Sequence, residues 1–261
     1  MENNTIRYGR NPSAAHYVQS DDAKIYYEVY GEGDPIILLH GGMFGSPEEY
    51  AQLAADLLNE HRIILIATRG HAQSEIGYSL PTYEKKAEDV KAVMDDMNLA
   101  KAGFIGFSDG AYTAYSFIRK YPDMVRFIVS MGAGIWKNGF VQGGRKDLHS
   151  FSDCIELAPE MWKDQLENVR PEPERAEEWF ESMLEAFAET KFEKDVFENI
   201  HVPVLMIVGE KDANAPMDSV IEACRCMNHA QLGVVPNAPH TILMSDYPVV
   251  REMILKFLSE R

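Results

Sequence analysis

Ala102-Gly103-Phe104-Ile105-Gly106-Phe107-Ser108-Asp109-Gly110-Ala111-Tyr112 is the stretch whose reading decides the fold. Residues 102–107 have the length and apolar character of a buried strand, and residues 111–121 read as a helix. The join between them, Gly106-Phe107-Ser108-Asp109-Gly110, fits Gly-x-Ser-x-Gly. The pentapeptide alone is weak evidence; its position directly between a strand and a helix makes it informative. So tight a turn admits only small flanking residues, and Gly106, Gly110 and Ala111 meet that demand. The turn lifts the Ser108 hydroxyl into the open and aims the helix N-terminus at it.

The same alternation extends in both directions. Continuous apolar runs at 36–39 and 62–67 read as strands buried on both faces, as do 126–131 and 202–208. Residues 231–235 supply a last strand, and 16–19 and 24–30 two opening ones. Ser46-Pro47-Glu48-Glu49 reads as a helix start, with Ser as N-cap and acids in the first turn, running to about Asn59. Further helices are expected at 84–97, 216–227 and 246–258. This order predicts an α/β fold: a mostly parallel, doubly wound sheet of about eight strands. Residues 135–198 break the pattern with no convincing strand. There Trp179, Phe180, Met183, Leu184 and Phe187 share one helix face, with Glu177, Glu181, Glu185 and Glu189 opposite. The expected organisation is a core of residues 1–134 and 199–261 with a helical insertion at 135–198.

A serine hydroxyl needs a base, and the base an orienting carboxylate. Of the eight histidines, His240 lies between the last strand and the last helix, where open α/β sheets place their chemistry. His61 and His229 enter strands and belong to the opposite edge. Asp212 lies in the loop after residues 204–208, with Glu210 and Asp218 as further candidates. The loop after residues 126–131 contains no acid, which favours Asp212. Donors for an oxyanion are expected from the backbone N–H groups of Asp109 and of Gly42 or Met43, in His40-Gly41-Gly42-Met43. His40 reads as a brace for that loop. Asp109 has two readings, a helix-capping acid or a partner for a substrate ammonium.

The chain of 261 residues carries 41 Asp and Glu against 25 Lys and Arg, a net charge of −16. That excludes a nucleic-acid partner and disfavours an anionic membrane surface. Residues 153–198 hold 15 of the acids and five of the bases, so the insertion carries most of the charge and biases the substrate towards neutral or cationic molecules. No apolar run reaches membrane-spanning length, and residues 1–19 lack a signal-peptide core. Three cysteines form no disulfide framework. A cytoplasmic protein is expected. No metal motif or nucleotide fingerprint is present, so no cofactor is expected.

These residues together resemble the α/β-hydrolase superfamily over nearly the whole chain. The matching pieces are His40-Gly41-Gly42, Arg69-Gly70-His71-Ala72-Gln73-Ser74, Gly106–Gly110, Gly209–Asp212 and Pro239-His240. The Ser-Asp-Gly turn and Tyr121-Pro122-Asp123-Met124-Val125 look like the subset around biphenyl-hydrolase-like proteins and valacyclovir hydrolases. Thr68 and Ala72 depart from small motif residues, and Ala67 stands where an Asp is often found. The resemblance implies a Ser108–His240–Asp212 triad, an acyl-enzyme mechanism on an ester-type bond, and a cap at 135–198. Aminopeptidase, lactonase, carbon–carbon hydrolase and cofactor-free perhydrolase chemistry use the same triad, and a non-catalytic small-molecule receptor is the alternative outside catalysis. Phe44, Phe107, Trp136 and Trp162 are candidate pocket residues, with Phe140 among further aromatics of the insertion.

Overall fold

The computed structural model describes residues 6–136 and 148–261; Phe140 lies outside them. Its eight strands are β1 (Ala15–Ser20), β2 (Ala23–Tyr30), β3 (Asp34–Leu39), β4 (His61–Ile66), β5 (Ala102–Phe107), β6 (Val125–Met131), β7 (Val204–Gly209) and β8 (Ala230–Val235). They form one sheet in the order β1-β2-β4-β3-β5-β6-β7-β8. β1 and β2 pair antiparallel, as do β2 and β4, and every other pairing is parallel.

Strand order follows from which faces must be buried. β3, β4, β5 and β7 are apolar on both faces, so helices must cover both. Alternate residues divide accordingly. Ile37, Leu39, Ile64, Ile66 and Phe104 belong to one apolar cluster, which includes residues of α2 (Tyr83–Asp96), α3 (Asp109–Lys120) and α8 (Met217–Cys226). Ile36, Leu38, Ile63, Leu65 and Ile105 belong to the other, with α1 (Ala51–Leu57) and α10 (Tyr247–Leu258). β1 and β8 lie at the ends of the sheet and are largely unburied.

β3 sits between β4 and β5, so the chain leaves it in one direction and later returns on its other side. In open α/β sheets such a reversal opens a crevice at the strands' C-terminal ends. Here the residues after β3 are His40, Gly41 and Gly42, and the residue after β5 is Ser108.

Between β6 and β7 the described residues are helical: α4 (Phe151–Leu157), α5 (Pro159–Asp164), a π-helical turn (Gln165–Val169), α6 (Ala176–Glu189) and α7 (Lys194–Glu198). The apolar face of α6 turns inward, with Trp179, Phe180, Met183 and Phe187 in the same cluster as α2 and α3. A single β-bridge joins Trp136 to Phe192. The helix start expected at Ser46 differs in detail. Residues Pro47–Tyr50 form a 3-10 turn before α1, and the Ser46 side chain makes no cap bond. Among the described residues no helix is long and apolar enough to cross a membrane.

A buried ion-pair network fixes the loop after β4. Arg69 is fully buried and donates to both Asp89 carboxylate oxygens, each at 2.7 Å. Asp89 also accepts from Ser20 Oγ at 2.6 Å, and Arg69 Nη1 reaches Asp22 at 3.0 Å. The network ties α2 and the β1–β2 hairpin to residues 68–74, the stretch that departs from the family motif. One departure has a visible cost, since Ala72 adopts φ 46, a left-handed conformation disfavoured for a residue with a Cβ.

Removing Asp89 strands a buried guanidinium. Asp89→Ala should cost about 3–5 kcal/mol, read as a fall in Tm of roughly 10 °C. Ala72→Gly should act in the opposite direction, raising stability by about 0.5–1 kcal/mol as the left-handed strain is relieved. Thermal or urea unfolding of the two variants checks both signs.

Candidate active site

Ser108 links β5 to α3 with φ 51 and ψ −115, and its N–H donates to Met131 O at 2.7 Å. Only glycine fits beside it. A Cβ at Gly106 would lie 2.5 Å from Ala111 N, and one at Gly110 would lie 1.9 Å from Leu39 O. The first turn of α3 therefore presses against the last carbonyl of β3, and the residues after β3 come to lie next to Ser108.

His240, between β8 and α9 (Ile242–Ser245), reaches back to this turn. Its Nε2 is 3.0 Å from Ser108 Oγ and its Nδ1 is 2.8 Å from Asp212 Oδ2. An ionised carboxylate only accepts, so Nδ1 carries the hydrogen and Nε2 presents its lone pair to the serine hydroxyl. The other Asp212 oxygen accepts from the N–H groups of Asn214 at 2.9 Å and Ala215 at 2.7 Å. Gly132, at φ 61, leaves room for the pair, since a Cβ there would lie 2.9 Å from His240 Cε1. Glu210 instead accepts from Asn237 N at 2.7 Å, and Asp218 lies in the first turn of α8.

His40 is buried and fully committed. Its Nδ1 donates to Gly41 O at 2.7 Å and its Nε2 accepts Thr68 N–H at 3.0 Å. Burial pushes its pKa down to about 4, so it is neutral. The Thr68 contact links the glycine loop to the Arg69 segment.

A cavity of about 200 Å³ opens over Ser108 and His240. Gly42, Met43, Phe44 and Phe107 line it, and Leu148, Leu157 and Met244 add apolar walls. The aromatic readings therefore divide. Phe44 and Phe107 face the cavity, whereas Trp136 and Trp162 do not. Trp136 is packed against Tyr83, Tyr112 and Phe187. Trp162 is buried between Phe151 and Trp179. Both complete the apolar core, which takes large aromatics before the cavity does.

Asp109 also departs from both readings given to it. It is the first residue of α3, following the N-cap Ser108, and is almost fully buried. Its Oδ2 lies 3.4 Å from Lys86 Nζ on α2 and 2.2 Å from where a Gly42 Cβ would be. The carboxylate is thus engaged inside the protein, behind the glycine loop, and is not presented to the cavity as a partner for a substrate ammonium.

Glu49 is the acid that the cavity does contain, and its sequence context hid it. Beside Glu48 after a Ser-Pro pair it reads as a first-turn helix acid. In the structure its Oε2 accepts the Gly41 N–H at 2.9 Å and the residue lines the cavity. Burial pushes its carboxyl up to about 7, against the pull of the Gly41 N–H and with the help of nearby Asp109. Among the described residues no group of three or more His, Cys, Asp or Glu is arranged to hold a metal ion.

The family profile described as alpha/beta hydrolase fold matches residues 34–192, more than half of the chain. The protein belongs to this family. Among similar proteins, the AB hydrolase superfamily protein YisY of Bacillus subtilis is 26% identical over 265 residues, covering 93% of this chain and 98% of that protein. Serine hydrolase BPHL of Mus musculus is 25% identical over 233 residues, covering 84% and 77%. Among solved structures, a thermophilic esterase from Thermogutta terrifontis superposes with a TM-score of 0.72 at 21% identity, covering 94% and 98%. The protein is an alpha/beta hydrolase, and the eight-stranded sheet is that fold.

Gly110→Ala tests the constraint at the turn. The added methyl meets backbone and cannot move aside, so the variant should lose more than about 3 kcal/mol of stability or fail to accumulate as folded protein. A wild-type unfolding midpoint would show that the turn relaxes.

Proposed function

We propose that this alpha/beta hydrolase is a serine hydrolase that cleaves an ester-type bond in a small molecule through an acyl-enzyme. The observation that carries this reading is the continuous hydrogen-bond chain Ser108–His240–Asp212 opening into a cavity. Ser108 Oγ attacks the substrate carbonyl carbon while His240 Nε2 takes its proton. Asp212 holds the imidazole in the tautomer this needs and stabilises the imidazolium that forms. The backbone N–H groups of Asp109 and of Gly42 or Met43 receive the developing oxyanion. As the tetrahedral species collapses, His240 returns the proton to the leaving group. Water, deprotonated by the same nitrogen, then releases the acid and restores Ser108.

The walls of the cavity suit an apolar acyl or alcohol portion of modest size. Leu148 and Leu157 come from residues 135–198, which act as a cap over the site in this reading. A relative that bears the name serine hydrolase supports the same nucleophile. Neutral or cationic small molecules fit the acidic balance of the insertion. None of the steps calls for a metal or cofactor.

A fluorophosphonate probe should label wild type at Ser108 and leave Ser108→Ala unlabelled. With a short-chain activated ester, Ser108→Ala should lower turnover by roughly 10⁴–10⁶ and His240→Ala by a comparable factor. Unchanged turnover in Ser108→Ala would overturn the mechanism. Absence of labelling in folded wild type would favour a ligand receptor.

A further inference from the structure

Asp109 poses an electrostatic problem for the steps above. Its backbone N–H is one of the donors to the oxyanion, and its side chain is a carboxylate at the first position of α3. The positive end of a helix serves an anion best when nothing else answers it. Here the helix carries a fixed anion of its own at that end. Asp109 Oδ2 would lie 2.2 Å from a Gly42 Cβ, so the carboxylate is pressed against the back of the loop that supplies the other donor. Its charge is felt through that loop. Burial raises the Glu49 carboxyl on the cavity side, and Asp109 adds to the rise. A negative charge so placed opposes the one that develops on the substrate oxygen.

α2 brings the opposite charge to the same spot. Lys86 is 1% exposed, and its Nζ lies 3.4 Å from Asp109 Oδ2. The same nitrogen sits 5.1 Å from the centre of the Tyr83 ring, one turn earlier on α2. Lysine is almost never buried so completely unless it is paired. The field of the ammonium also reaches the glycine loop. At His40, where burial dominates, Lys86 and Asp109 act on the ring in opposite directions. We propose that Lys86 is a positioning residue for the oxyanion hole: its ammonium holds the Asp109 carboxylate behind the glycine loop and cancels its charge there, leaving the Asp109 N–H and the N-terminus of α3 to the oxyanion. The assignment rests on the serine-hydrolase reading and deepens it. It also gives a reason for burying an ion pair, which by itself adds little to stability.

The test pairs Lys86→Met with Lys86→Met/Asp109→Asn. The first leaves the carboxylate without its ammonium, and the second removes both charges. Each is read by the rate of fluorophosphonate labelling at Ser108 and by kcat/KM for a short-chain activated ester. A third readout is the Ki of that ester's ether isostere, which fills the cavity without forming an oxyanion. Folded Lys86→Met should lose about 10–100-fold in both rates, less than the loss of a whole oxyanion donor. Its Ki should stay within about twofold, because the cost falls on the charged transition state. The double variant should return both rates to within about fivefold of wild type. Rates unchanged in Lys86→Met, a Ki that weakens in step with the rates, or a double variant as slow as the single one would overturn the assignment while leaving the hydrolase reading intact. If Lys86→Met does not accumulate as folded protein, Lys86→Gln is read in its place, since it keeps a donor to the carboxylate without the charge. With both single variants unfolded, the double variant decides at the same limit of about fivefold. Wild type that neither labels nor hydrolyses would instead overturn the serine-hydrolase reading, and this assignment with it.

Discussion

One steric constraint organises the site: the start of α3 touches the end of β3. With a Gly110 Cβ only 1.9 Å from Leu39 O, the two elements can approach only through a glycine. This contact brings the loop that follows β3 up to the residue that follows β5. It also requires Ser108 to take a left-handed φ of 51, which turns its hydroxyl away from its own helix and towards His240. Backbone strain is here the means by which a side chain is aimed. The β3–β5 pairing on one side and the Ser108 N–H bond to Met131 on the other hold the strained turn in place.

Around that contact the protein places two kinds of buried charge. Arg69, Asp89 and Asp22 form a closed set, each with a partner, and serve to lock the loop after β4. From there the bracing runs through Thr68 to His40 and on to Gly41. The second kind is the acid pair Asp109 and Glu49, which flank the glycine loop from behind and from the cavity side. Among the described residues, only the first of these has a lysine against it. The glycine loop is thus braced by neutral His40 and by the Glu49 carboxylate, which accepts the Gly41 N–H.

The sheet was readable in the sequence because burial on both faces leaves uninterrupted apolar runs, and those at 36–39, 62–67 and 102–107 need no tertiary information to recognise. The meeting of Ser108, Asp212 and His240 was readable for a related reason, since each follows a strand and parallel strands bring their C-terminal ends to one edge. What could not be read depends on contacts between distant elements. Nothing near Asp109 announces Lys86, 23 residues away on another helix. Nothing near Glu49 distinguishes a helix-start acid from a cavity wall. Trp136 and Trp162 carry the composition of a binding pocket, but the aromatic cluster between the helices and α3 claims them first, because large rings gain most from complete burial. Ala72 shows the reverse limit: its departure from the small residue of the family motif is visible in the sequence, and its strained conformation is not.

The span between Ser108 and His240 has a consequence for how the chain matures. These residues lie 132 positions apart, and the serine's partner arrives on the last strand-to-helix connection of the sheet. β7 must first find β6 across the whole helical insertion, and β8 must then dock on β7. Pairings of such long sequence separation form late and slowly. An emerging or half-folded chain therefore lacks the contact between His240 and Ser108, which forms only on completion of the fold. The Ser108–His240–Asp212 hydrogen-bond chain thus waits until the last sixth of the polypeptide has been made.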